Sequence, residues 1–255
     1  TGQLSAQSDG MEAAALSNAD ETSAEDEAEK KRSPWFWPVI GVIILAALVG
    51  IGLWYPEGYF HQRVGTDGRQ EAKFERRAPT DLPLTAVRDE DGNDITVTVR
   101  VYGHDVHIRS WRVRVGRISV YLLDVDFDLN GPAQRQLLQR LYGGDERTRI
   151  AQEMILGVGG VRMLRRLGIE PDMWHMNEGH SAFMVLERSR ELVSKGLDFA
   201  AAREAVTAGT LFTVHTPVAA GNDAFDFALV HECLAGMWTE LGLSRAEFDA
   251  LGVAD

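Results

Sequence analysis

Between residues 95 and 124 apolar and polar positions alternate. Ile95, Val97, Val99 and Val101 fall on one side, and Val106 with Ile108, Val113 with Val115, and Val120 with Leu122 continue the pattern. Gly103-His104-Asp105 and the region of Gly116 interrupt it as turns. This predicts an antiparallel meander of three or four strands. After Gly131 the period lengthens. Pro132 is expected to open a helix ending near Tyr142-Gly143-Gly144. Ile150, Met154, Val158, Val161 and Leu164 then recur at helical spacing, with Gly168 and Pro171 as stop signals. A strand over 172–176 follows, then helices from Ser181 to Lys195 and from Asp198 to Ala208, with Asp198 as N-cap. A strand over 210–215 and a helix marked by Phe227, Val230, Leu234, Trp238 and Leu241 complete the chain. Helix, strand, helix, helix, strand, helix is the order of a parallel sheet covered by helices, so the fold class is α/β.

The N-terminal part reads differently. Residues 1–33 are rich in Ala, Ser, Glu and Asp and are expected to be a disordered acidic tail. Residues 34–55 form an apolar segment without a charge from Trp35 to Tyr55, and Trp35, Trp37, Trp54 and Tyr55 sit at its two ends. Two readings stand. It is long enough to cross a bilayer, with aromatic residues as belts, or it is an apolar helix followed by a buried strand. An acidic stretch before it and no small-residue cleavage site argue against a secretory signal.

Charge adds to this division. Residues 1–29 carry eight carboxylates and no Lys or Arg; setting them against the formal −12 leaves −4 for the rest. The body is near neutral, which speaks against a duplex nucleic-acid binder. Arg100, Arg109, Arg112, Arg114 and Arg117 decorate the meander and read as a solvated outer face. Cys233, the single cysteine, cannot form an internal disulfide and lies where a small buried hydrophobe is expected.

Chemistry concentrates in "WHMNEGHSAF", residues 174–183. A strand ends there, a polar loop follows, and a helix begins. Ligands of parallel sheets bind outside the carboxyl ends of the strands. Asn177, Glu178 and His180 are placed at such an end, and "FTVHTPVAAGND" places His215 at a second one. The two strand ends predict one shared pocket. His175 is expected to pack at the strand end, opposite Asn177. His175 and His180 are five apart with Glu178 between them, which is not the H-E-x-x-H spacing of a zinc-protease helix. No metal is assigned. His231 reads as a helix-surface histidine. "GVGG" at 157–160 lies inside a helical period, so its glycines predict close helix–sheet packing rather than a nucleotide turn.

Several stretches in order carry a resemblance: "VGIGLWYPEGYFHQRV", "LPLTAVRDEDGNDITVTV", "RLYGGDERTRIAQEMILGVGGVRMLRRLGIEP", "WHMNEGHSAFMVLERSRELV" and "LFTVHTPVAAGNDAF". From about Val49 to the C-terminus they resemble the short, bacterial-type α-glucan (glycogen/maltodextrin) phosphorylases. The resemblance implies that residues 49–255 are part of the N-terminal, Rossmann-like domain of a glycosyltransferase-B fold, with the antiparallel β-meander. It implies phosphorolysis of α-1,4-glucans to glucose 1-phosphate, with pyridoxal phosphate on a lysine of a second domain. It also implies glucan and phosphate as partners, and frequent homo-oligomers. His215 matches the histidine that contacts the glucosyl unit. Asn177, Glu178 and His180 match the loop lining the same pocket, which reads "NDTH" in enlarged relatives.

Departures are equally plain. The acidic and apolar residues stand where the family has a Gly-rich phosphate loop, and the cofactor half with its lysine is not in this sequence. The isolated chain is therefore expected to lack phosphorylase activity. A cytoplasmic origin is expected for 49–255, the alternative being a single-pass membrane protein anchored through 35–55. Two rival functions are a non-catalytic or membrane-tethered glucan-binding module and a metal hydrolase using His175, His180 and Glu178.

Overall fold

The computed structural model describes residues 62–72, 78–140, 144–216 and 223–253. The expectations for the acidic tail and the apolar segment 34–55 lie outside these residues. Among the described residues no helix is long and apolar enough to cross a membrane. The chain divides into two units, Thr1–Glu75 and Arg76–Asp255. In the first, β1 (Gln62–Val64) and β2 (Gln70–Ala72) form an antiparallel hairpin, its loop closed by the Gly65 N–H on the Arg69 carbonyl at 2.8 Å.

The second unit is mixed α/β. Its antiparallel sheet comprises β3 (Thr85–Ala86), β4 (Thr96–Val101), β5 (His104–Val115) and β6 (Ile118–Asp124). β5 is the spine: β4 pairs with it over His104–Arg109, β3 at Trp111 and Arg112, and β6 over Arg109–Val115. The expected meander is present, with its first turn one residue earlier than the glycine suggested. Tyr102 (φ 53°) and Gly103 (φ 74°) make a two-residue turn, and His104 already belongs to β5. Such a turn needs left-handed backbone at both central residues to match the twist of its strands. Tyr102 tolerates this because its hydroxyl donates to the Arg147 carbonyl at 2.8 Å and the Arg147 guanidinium lies 4.2 Å from its ring.

Strand alternation sorts the faces. Val99, Val101, Val106 and Ile108 are buried, and Ile95 and Val97 pack against them. The arginines of the other positions are not uniformly solvated. Arg112 and Arg114 are exposed, but Arg109 pairs with Asp94 (3.1 Å) and Asp124 (2.9 Å) and lies 4.8 Å from the Phe127 ring.

The helix expected from Pro132 is absent from the described residues 131–140, which hold only a 3₁₀ turn at Gln134–Gln136. Gln152 Nε2 donates to the carbonyls of Leu137 (2.8 Å) and Arg140 (3.2 Å), tying this stretch to α1.

The helical layer begins with α1 (Glu146–Met154), whose N-cap Asp145 accepts from Thr148 N–H. It passes through a π-turn at Ile155–Gly159 into α2 (Gly160–Arg166). The glycines here serve packing, as their helical setting implied. A Cβ on Gly159 would lie 2.5 Å from Ile108 Cδ1, and one on Gly157 would lie 2.8 Å from Met184 N. β7 (Trp174–Asn177) follows, then a 3₁₀ turn at Gly179–Ser181, α3 (Met184–Ser194), α4 (Phe199–Ala208) and β8 (Thr210–Thr213). Asp198 caps α4 by accepting from Ala201 N–H, as expected. β7 and β8 pair in parallel, from Trp174↔Thr210 to Asn177↔Thr213. The two-helix crossover matches the order of elements seen in the sequence.

The last helix is not continuous. α5 (Phe227–Cys233) stops, Gly236 turns left-handed (φ 90°), and α6 (Met237–Glu240) and α7 (Arg245–Asp249) follow. Leu234, Met237, Leu241 and Phe248 still reach the core, because each short helix presents its own apolar side to it. Cys233 is buried there. His231 is not a surface histidine. Its side chain is 11% exposed, held by Asp249 Oδ1 at 2.5 Å and by the edge of Trp238.

One ion cluster ties these layers together. Glu187 on α3 is fully buried and binds Arg162 of α2 (2.8 Å) and Arg190 (2.7 Å), while Arg162 Nη1 donates to the Thr98 carbonyl of β4 (2.7 Å). Burial alone would raise the Glu187 pKa, but the two guanidinium groups outweigh it and hold the carboxyl below its ordinary range.

Candidate functional site

The site is built where β7 and β8 end. Along β7, Trp174 and Met176 point into a small core with Val161 and Met184, and Arg165 and Arg188 lie over the Trp174 ring at 5.4 and 4.9 Å. Alternation therefore turns His175 and Asn177 to the same open face, not to opposite sides. Across the parallel register, Thr213 Oγ1 lies 2.7 Å from His175 Nε2. β8 ends at Thr213, two residues short of His215, and His215 returns to the same face with Nε2 2.8 Å from Asn177 Oδ1.

An amide oxygen only accepts, so His215 Nε2 carries the proton in this pair. When the ring is neutral, Nδ1 is left as an acceptor. Asn177 and His215 are exposed, so this polar pair is available to a ligand.

Glu178 is placed otherwise. It is 8% exposed, and Oε1 accepts from the backbone N–H groups of His215 (2.6 Å) and Thr216 (3.0 Å), with the Thr216 hydroxyl at 3.3 Å. Its own N–H continues the parallel ladder to the Thr213 carbonyl at 2.9 Å. Bonding from the His215 N–H holds its carboxyl below the ordinary range, so it is ionised at neutral pH.

His180 belongs to a second cluster. It lines a cavity of about 330 Å³ with Leu123, Leu138, Arg149, Glu153 and Leu156; Asn177, Glu178 and His215 are not among the lining residues. Among the described residues His180 groups with Glu153 and Asp223, while Asn177 and His215 bond each other. In the second group Glu153, His180 and Asp223 bring donor atoms within 4.8 Å of one another. Arg149 supplies the positive charge there: its guanidinium pairs with Asp223 and lies 3.6 Å from Glu153 Oε1. The sequence reading missed this grouping, since the three come from α1, the β7 turn and the segment before α5. Of the residues in the rival metal reading, His175 bonds Thr213 and Glu178 binds backbone.

Glu153 is the unusual member. It is 5% exposed, and burial together with a hydrogen bond to Asp223 raises its pKa to about 8. It therefore holds a proton at neutral pH, which lets two carboxyl groups approach one another.

Pyridoxal phosphate, implied by the resemblance, does not fit what is described. It requires an enclosed lysine with anion-binding groups, and the one lysine among the described residues, Lys195, is exposed at the end of α3.

No family profile matches the chain. Individual relatives do. It is 40% identical over 205 residues to maltodextrin phosphorylase of Thermococcus litoralis, an alignment covering 80% of this chain and 24% of that protein. It is 42% identical over 190 residues to glycogen phosphorylase of Mycobacterium tuberculosis, covering 72% and 22%. With the glycogen phosphorylase of Aquifex aeolicus it shares 35% over 185 residues, covering 72% and 27%. The chain spans about a quarter of the length of these curated relatives, and over most of its own length it is similar to the glycogen and maltodextrin phosphorylases.

Proposed function

We propose that this chain supplies part of the glucosyl-binding site of an α-1,4-glucan phosphorylase, in which glucosyl units pass from glycogen or maltodextrin to phosphate to give glucose 1-phosphate. The observation that carries this is the Asn177–His215 pair, joined at 2.8 Å where two parallel strands end. Sugars are distinguished by hydroxyl groups, and a fixed donor–acceptor pair rejects a ligand that leaves it unsatisfied. In this reading Nδ1 of His215 accepts from a glucosyl hydroxyl. The Asn177 side-chain N–H donates to a sugar oxygen, and Glu178 stays behind the pair.

The parallel β7–β8 unit is read as part of a Rossmann-like domain of a glycosyltransferase-B fold. The cofactor would be held by groups outside the described residues. The reading places the protein in the cytoplasm, where glycogen is used.

Calorimetry with maltoheptaose tests the reading. The full chain is expected to bind it, and His215→Ala to weaken binding about tenfold, the loss of one or two hydrogen bonds. Unchanged affinity in the variant would remove His215 from the site. Binding without release of glucose 1-phosphate fits both a partial site and the second reading, a non-catalytic glucan-binding module. Glucose 1-phosphate released from maltodextrin and phosphate by the chain alone would exclude the module.

A further inference from the structure

We propose that Glu178 is a positioning residue for His215: its carboxylate does not read the sugar but clasps the backbone after β8 and so sets where the imidazole stands. This deepens the glucan reading and rests on it for the ligand, but the clasp itself is independent of any ligand.

Two observations point the same way. Oε1 already accepts from three donors, the His215 N–H, the Thr216 N–H and the Thr216 hydroxyl. With those in place the oxygen has little capacity left for a sugar. The backbone of Glu178 is also in a region (φ 60°, ψ −174°) that is nearly reserved for glycine. A residue with a Cβ is kept in that conformation only when its surroundings over-determine it. Among the described residues the second oxygen, Oε2, is buried and accepts no hydrogen bond, a further cost. Strain and an unsatisfied oxygen are both tolerated where a side chain must be a charged acceptor aimed across from one strand end to the next. β8 itself stops at Thr213, so no ladder bond fixes His215; the clasp takes over where pairing ends.

The substitutions separate holding from contacting. Glu178→Gln keeps an acceptor oxygen, Glu178→Ala removes it, and Glu178→Gly removes it while relieving the backbone. In amide NMR spectra of the full chain, the His215 and Thr216 amide protons are expected downfield and protected from exchange. Protection should be retained in Glu178→Gln. Protection should vanish in Glu178→Gly, which should melt above Glu178→Ala. In maltoheptaose titrations Glu178→Gly is expected to lower affinity about tenfold. The double variant with His215→Ala should be no weaker than His215→Ala alone, because the effect passes through that ring.

Amides of 215 and 216 that ignore all three substitutions in an otherwise unchanged spectrum would overturn the clasp. Additive losses in the double variant would overturn the positioning role and make Glu178 a sugar contact. If the unaltered chain binds no maltoheptaose, the glucan reading falls, and the amide measurements alone decide on the clasp.

Discussion

At the scale of single residues, the region around the β7 and β8 ends uses two carboxyl groups in opposite protonation states. Glu178 is held ionised by backbone N–H groups, whereas burial and Asp223 push Glu153 up to about 8. Residue type could not distinguish them; both are glutamates beside polar neighbours in the sequence. For Glu153 the folded state keeps a proton that the unfolded chain releases near 4.5. Its contribution to stability is full below that pH and is lost as pH rises toward 8. Asp223, Arg149 and His180 face the same carboxyl and set the size of the loss. Glu153→Gln is therefore expected to be stabilising at pH 9 by about 2 kcal/mol, or roughly 4–8 °C in melting temperature. The advantage should close by pH 5. A thermal melt series across that range checks this, and equal melting curves at pH 9 would contradict the raised value.

At the scale of elements, close approach governs the run from α1 to α2. Gly157 meets the backbone at the start of α3, with Met184 N at 2.8 Å and the Phe183 carbonyl carbon at 3.0 Å from a Cβ placed there. Gly159 meets instead the terminal methyl of Ile108, which can turn aside. Gly157→Ala is expected to cost about 2–3 kcal/mol by overpacking. Gly159→Ala should stay within about 1 kcal/mol, its clash offset by the helix preference of alanine. Urea denaturation of the two variants measures the difference, and equal losses would mean that the backbone of α3 yields as easily as a methyl group. The packing role of these glycines was legible because helical spacing runs through them. The break at Gly236 was less so: Leu234, Trp238 and Leu241 keep helical spacing across it, and only the left-handed backbone shows that two helices share the pattern.

At the scale of the molecule, alternation revealed the antiparallel sheet, and the order of helices and strands revealed the parallel pair. Both signals come from faces that must be buried. Contacts between distant segments left no such trace. Gln152 reaches the carbonyls of Leu137 and Arg140 where a helix was expected, and Asp223 reaches back to Arg149 of α1. The strand-end site centres on the Asn177–His215 pair with Glu178 behind it. The most direct test is an amide NMR titration of the full chain with maltoheptaose, using a β-1,4 glucan of similar length as control. Saturable shifts centred on Asn177, Thr213 and His215, given by the α-1,4 glucan alone, are expected. Shifts confined to the antiparallel sheet, or equal responses to both glucans, would contradict a hydroxyl-reading site at the strand ends.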